Sequence, residues 1–388
     1  MLAATADWST LTSMVTASCP TQVQPTVLVI DDEAGPRDAL KVILRTFCNV
    51  RSAENAKTAL DILRQAPIDL ITLDQKLPDR HGLDLLREIK RHRPDVEVII
   101  VTGYGSLKSA MEGIRHGAAG YLLKPFNVNE LTTLIQQTMD KKRRLDFLRN
   151  CFRTLPELWG SEEESARAWD TVKARYASFS TNAQDDTAFQ QGDMNLLPLL
   201  SDILEATDRH LLNHSSRVSF YATLMASRLN LTTPEQKSLA LGAFLHDIGK
   251  TTLSSYRFSE DQVLPSGEAS PCKEHVDRGA RMIASLGLPI EVRQIVACHH
   301  ERWDGQGYPH GFKGTDIPLL ARIVAIAQTF DHLTADTPGR VVLPLEAAVR
   351  QISLQSHTQF DPRLLELFIQ VVKDTPVSPP AMDIAPAA

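Results

Sequence analysis

The chain is short of cysteine and aromatics and has no excess of positive charge. Its five cysteines, Cys19, Cys48, Cys151, Cys272 and Cys298, are scattered, odd in number and form no C-x-x-C pair. A disulfide framework is therefore not expected, and free thiols in a reducing cytoplasm are. Lys and Arg total 41 against 47 Asp and Glu, a net charge of -6, so direct DNA binding, which draws on a basic excess, is not expected. No apolar run approaches the roughly 20 residues that span a bilayer, so no membrane span is expected. The first 24 residues hold no Lys or Arg; they lack the positive start of a secretory signal and read as a disordered leader. The surplus is histidine. Nine of the twelve lie after residue 200, which points to metal or acid–base chemistry in the second half.

A length of 388 residues, 43% hydrophobic and 23% charged, implies a globular chain of two domains. Val27–Ile30, Ile68–Leu73, Val96–Val101 and Gly120–Leu123 are short apolar runs without alternation, the pattern of strands buried on both faces. Helical patterns separate them, so residues 25–140 read as an α/β doubly wound domain with a parallel sheet. A last helix runs from Asn129 to about Leu155, and 141–195 reads as a helical and polar linker. From Leu196 helix follows helix, with Thr233-Pro234-Glu235 as a cap and an early proline. Residues 196–375 are thus expected to be all-α, and 376–388 a disordered tail.

In a parallel α/β sheet the functional crevice lies at the carboxyl ends of the strands. Asp31, Asp32, Asp74, Thr102 and Lys124 all sit at such ends. Three carboxylates there suit Mg²⁺, which would neutralise a phosphoryl group passing to Asp74 while Thr102 and Lys124 bind its oxygens. In the second domain His246-Asp247 closes a helix, His214 and His275 lie on other helices, and His299-His300 form a pair. This donor set suits Zn, Mn, Fe or Ni and is large enough for two metals, with Asp247 as a shared ligand. Lys250, one turn on, would stabilise charge on a phosphate. The glycine-rich stretch Gly305–Gly314 suits a substrate rim. Taken singly, His116, His310, His332 and His357 read as surface or satisfied core residues.

The strings VLVIDDE (27–33), LDQKLPDRHGLDLL (73–86), VTGYG (101–105) and GYLLKPF (120–126) resemble the receiver domain of two-component response regulators. The resemblance implies that Asp74 accepts phosphate from a histidine kinase. It also implies that Asp31, Asp32 and the Lys76 carbonyl serve Mg²⁺, and that Thr102 and Tyr121 are switch residues. The strings HSSRV (214–218), HDIGK (246–250), HVDRG (275–279) and HHERWDGQGYP (299–309) resemble the HD-GYP family of the HD phosphohydrolase fold. That resemblance implies hydrolysis of cyclic di-GMP through pGpG, often to GMP, with two or three transition metals, Fe or Mn being favoured here. Its ligands would be His214, His246, Asp247, His275, His299 and His300, with Lys250 on phosphate and Tyr308 and Arg340 at the substrate.

Three departures from that family's pattern stand out. Gln328 occupies the place of the closing aspartate ligand; its amide oxygen can ligate but carries no charge. In Asp336-Thr337-Pro338-Gly339-Arg340 one phosphate-binding cation is replaced by Thr337, while Arg340 remains. His210 stands where members with a third metal carry Glu, which favours two metals. The expected protein is a cytoplasmic response regulator, homodimeric through its helical linker, whose phosphorylation at Asp74 controls a cyclic di-GMP phosphodiesterase. The departures motivate an alternative, a degenerate domain that binds a nucleotide or a protein without hydrolysis.

Overall fold

The computed structural model describes residues 24–103, 107–155, 158, 162–179, 196–252, 271–335 and 342–375. The chain divides into two compact units, Met1–Phe147 and Leu148–Ala388. Among the described residues, Cys48, Cys151 and Cys298 are free and buried, and no helix is long and apolar enough to cross a membrane.

The first unit alternates β1 (Thr26–Ile30), α1 (Ala34–Leu44), β2 (Asn49–Ala53), α2 (Ala56–Gln65), β3 (Leu70–Leu73), α3 (Gly82–His92), β4 (Glu97–Thr102), α4 (Leu107–Arg115) and β5 (Gly120–Leu123). The sheet is parallel throughout, in the order β2-β1-β3-β4-β5. Leu28, Ile30, Ile71 and Leu73 pack on one face with Leu83 and Leu86, while Val27, Val29, Ile99 and Val101 pack on the other with Leu40, Leu44 and Ile135. That two-sided burial is why these strands read as unbroken apolar runs. The sequence reading has four strands and misses β2. As an edge strand carrying Asn49, Arg51 and Ser52, it has exposed positions alternating with half-buried ones before Ala53, so no apolar run marks it.

Strand order reverses between β1 and β3, which makes a crevice at their carboxyl ends. Ile30 is in register with Leu73, so the residues that follow, Asp31 and Asp74, emerge side by side. Gly82 keeps the loop after β3 tight: a Cβ there would lie 2.4 Å from the Asp74 carbonyl oxygen.

Helix α5 (Val128–Thr154) crosses the division between the units, and α6 (Glu162–Ala177) follows. Much of what reads as linker is packed. Leu148, Cys151, Trp169 and Val172 are buried, the Arg149 Nε donates to the Ala206 carbonyl at 3.0 Å, and the Tyr176 hydroxyl donates to Asp202 at 2.6 Å. Trp169, Val172 and Tyr176 recur at helical spacing, but the stripe is short and set among charged residues, so it reads as a polar helix. Residues 180–195, together with the leader and the tail, lie outside the described residues.

The second unit continues as α7 (Leu196–Thr207), α8 (Arg209–Ala226), α9 (Thr233–Leu245), a 3₁₀ helix (Ile248–Thr252), α10 (Pro271–Ser285), α11 (Ile290–Cys298), α12 (Leu319–Thr334), α13 (Leu345–Ser353) and α14 (Pro362–Asp374). No strand occurs among its described residues. The cap of α9 sits one residue earlier than the sequence reading, at Thr232, which forms a reciprocal capping box with Glu235. Tyr221, Phe330 and Phe368 meet edge to face in the core, with centroids 5.1 to 6.3 Å apart.

The 3₁₀ helix lies backbone to backbone on α10. A Cβ on Gly249 would stand 1.8 Å from the His275 carbonyl oxygen and 2.7 Å from the Gly279 nitrogen. This approach brings Asp247 beside His275. Gly249→Ala is expected to force the two elements apart and to cost about 1–3 kcal/mol, the range for overpacking. Denaturant unfolding in EDTA measures it, and an unchanged midpoint would contradict the contact.

Candidate metal centres

At the crevice of the first unit, one carboxylate oxygen from each of Asp31, Asp32 and Asp74 lies within 4.8 Å of the others. Lys124, just past β5, donates to Asp31 Oδ2 and to Asp74 Oδ2, both at 2.7 Å. Burial pushes the Asp31 carboxyl above its ordinary value, with Lys124 opposing. The Asp74 carboxylate also accepts from the Lys76 backbone N–H at 3.3 Å, which turns the loop around it. Thr102 closes β4 and is fully buried. Tyr121 is half-buried on β5, its hydroxyl 3.3 Å from that of Ser109 on α4. Of the five strand-end residues, Asp31, Asp32 and Asp74 form one group of ligand atoms and Lys124 reaches two of them. Thr102 meets Lys124 through its backbone carbonyl, which accepts from the Lys124 backbone N–H at 2.8 Å. The three acids suit a hard cation.

The second centre is built around Asp247, which is only 1% exposed. Its Oδ2 faces His214 Nε2 at 3.7 Å and His246 Nε2 at 3.3 Å. Its Oδ1 faces His275 Nε2 at 3.3 Å and His299 Nε2 at 3.7 Å. His300 joins the Oδ1 group, so that each group offers ligand atoms within 4.8 Å of one another. Lys250 Nζ donates to Asp247 Oδ2 at 2.6 Å.

The local fold aims these rings. His246 and His299 each follow the last turn of a helix, α9 and α11. Their Nδ1 atoms lie 2.7 and 2.9 Å from the carbonyl oxygens three residues back, Ala243 and Val296. An Nδ1–H committed to a carbonyl leaves the Nε2 lone pair free to ligate. Among the described residues, Asp247 Oδ1 and His275 Nδ1 have no hydrogen-bond partner. A buried carboxylate oxygen left so is costly, and a bound cation would relieve it. The donor set fits two divalent ions sharing one carboxylate.

Burial works against the charged form of Asp247, but Lys250 and the surrounding imidazoles hold its carboxyl well below the usual range. Burial also pushes the His299 imidazole from 6.5 down to about 4, against the pull of Asp247. At neutral pH the fully buried His299 is unprotonated and so able to ligate.

The remaining residues are placed as follows. Gln328 is buried on α12, its Nε2 donating to the His299 carbonyl at 3.2 Å. His210 belongs to neither group of ligand atoms. The Tyr308 ring stacks on His300 with centroids 4.7 Å apart. Arg340 and Thr337 lie outside the described residues. Three features escaped the sequence reading. Asp331, on the same helix as Gln328, binds His214 Nδ1 at 2.7 Å. His332, read as a surface or satisfied residue, stacks on His214 at 4.6 Å. Glu301 accepts from the backbone N–H groups of His310 and Phe312 at 2.7 and 3.1 Å and so anchors the glycine-rich loop. A carboxylate beside His299-His300 was its only signal.

Residues 27–136 match the response regulator receiver domain family, and residues 198–364 match the HD domain family. A Thermotoga maritima protein named "Cyclic di-GMP phosphodiesterase" is 28% identical over 353 residues, covering 90% of this chain and 91% of that protein. A Xanthomonas campestris pv. campestris protein named "Cyclic di-GMP phosphodiesterase response regulator RpfG" is 26% identical, covering 89% of this chain and 87% of its own. A Vibrio cholerae protein named "3'3'-cGAMP-specific phosphodiesterase 3" is 31% identical over 160 residues, which is 41% of this chain and 35% of that protein.

The unfolded chain protonates His299 near 6.5, whereas the folded chain resists until about 4. The metal-free second unit should therefore lose stability as pH falls from about 6.5 toward 4, at up to about 1.4 kcal/mol per pH unit from this one group. Urea melts in EDTA across that window test it. The slope should shrink in His299→Gln, and equal slopes would contradict the assignment.

Proposed function

Because the chain belongs to the response regulators, a receiver domain followed by an HD domain, we propose that it hydrolyses cyclic di-GMP under control of phosphorylation at Asp74. The observation that carries the proposal is the Asp247 carboxylate, with one oxygen turned to His214 and His246 and the other to His275 and His299. When bound, two divalent ions, Fe or Mn in this reading, supply the Lewis acidity that activates water and neutralises phosphoryl oxygens. His214, His246 and Asp247 would hold one. Asp247, His275, His299 and His300 would hold the other, with Gln328 Oε1 as an uncharged further donor.

The chain's own groups then do the rest. Lys250, half-buried at the Asp247 end, supplies positive charge for a non-bridging phosphate oxygen. Tyr308, stacked on His300, forms part of the substrate rim, and Arg340 is assigned to the substrate. In hydrolysis a water oxygen forms the new bond to phosphorus, the P–O3′ bond breaks, and the leaving oxygen takes up a proton. The product of that single cleavage is linear pGpG. In the receiver, Asp31, Asp32 and the Lys76 carbonyl serve Mg²⁺. Asp74 accepts the phosphoryl group from a histidine kinase, and Lys124 and Thr102 bind its oxygens, with Thr102 and Tyr121 rearranging in response.

Purified full-length protein, reconstituted anaerobically with Fe²⁺ or Mn²⁺, is expected to turn over cyclic di-GMP, and His246→Ala or Asp247→Ala to abolish turnover. An absence of turnover with two ions bound would contradict the proposal and favour a binding module, while faster turnover of 3'3'-cGAMP would reassign the substrate.

Acetyl phosphate with Mg²⁺ is expected to change the wild-type rate and to leave Asp74→Asn unchanged. Equal responses in the two proteins would overturn phosphorylation control at this residue.

A further inference from the structure

The imidazoles of the centre are not anchored alike. His246 and His299 lean on carbonyl oxygens of their own helices. His214 on α8 depends on a side chain from another helix, with its Nδ1 2.7 Å from Asp331 Oδ2 on α12. Asp331 is 1% exposed and is gripped in turn by Arg217, whose Nε donates to Oδ1 at 2.6 Å and whose Nη2 donates to Oδ2 at 3.0 Å. Arg217 lies three residues after His214 on α8, so a ring formed by His214, Asp331 and Arg217 closes between two helices.

We propose that Asp331 and Arg217 are positioning residues for one half of the metal centre, the half made by His214, His246 and Asp247 Oδ2, and that the other half holds its ion without them. A carboxylate on the Nδ1–H fixes the imidazole tautomer, turns Nε2 toward its partners and raises the basicity of that nitrogen. His214 Nε2 accordingly lies 3.2 Å from His246 Nε2. Arg217 balances the buried charge, so Asp331 can remain an acceptor. The Oδ1 half has its own support, with His299 on the Val296 carbonyl. Position 328 of the same helix offers an amide where a carboxylate would serve as a charged ligand, so the charge α12 brings to the centre acts through His214. The inference rests on the two-ion reading above.

The test uses full-length protein loaded with Mn²⁺, counting ions per chain after buffer exchange and recording the electron paramagnetic resonance of the coupled pair. Wild type is expected to hold two ions. Asp331→Asn should hold one and lose the coupled signal, its affinity for the second falling roughly 10–100-fold, as for other outer-sphere partners of a ligand histidine. Arg217→Gln should move the same way by less, and it carries the test if Asp331→Asn does not fold. Asp361→Asn is the control for a merely structural role. Asp361 accepts from Arg322 at 2.6 Å and is likewise buried, yet it binds none of the centre's histidines; its loss should lower the melting temperature and leave two ions. If Asp331→Asn keeps both ions at unchanged affinity, or loses both, the proposal fails. A wild type that binds fewer than two ions overturns the two-ion reading and the division into halves with it.

Discussion

The second unit depends on one carboxylate. Asp247 is withdrawn from water among four imidazoles and an ammonium group, and a buried charge of this kind persists only if its partners are held in place. Removing one partner of a buried pair typically costs about 3–5 kcal/mol, more than most surface changes can cause. Five helices are constrained accordingly: α8 brings His214, the ends of α9 and α11 bring His246 and His299, α10 brings His275, and α12 brings Asp331. The close approach at Gly249 sets the distance between Asp247 and His275.

The first unit solves a related problem with different means. Asp31 and Asp74 end neighbouring paired strands, and their repulsion is met by Lys124, which bridges them from the end of β5. The bridge spans strands that are not adjacent, so sheet order and site geometry are tied together. A phosphoryl group on Asp74 would compete for the same ammonium. This is a physical reason for the surroundings of β5, Tyr121 included, to respond to it.

Much of this was legible in the sequence. Strands buried on both faces announce themselves as apolar runs, and every strand-end acid followed from that. The His-Asp and His-His pairs marked the second centre because two neighbouring groups able to ligate are unusual on one turn. What was hidden depended on tertiary pairing. Edge strand β2 has no apolar run to show. Trp169 and Tyr176 gain their burial from partners distant in sequence, which made a packed helix resemble a spacer. Asp331 is 117 residues from the histidine it holds, and only the crossing of α8 and α12 brings them together. Its spacing of one turn from Gln328 was visible, but spacing alone could not separate a ligand from a residue that holds one.

The sharing of Asp247 is tested most directly by anomalous diffraction from crystals of the Mn²⁺-loaded protein. Two peaks are predicted, one beside each carboxylate oxygen, the first near His214 and His246 and the second near His275, His299 and His300. A single peak, or two peaks on the same side of the carboxylate, would contradict it.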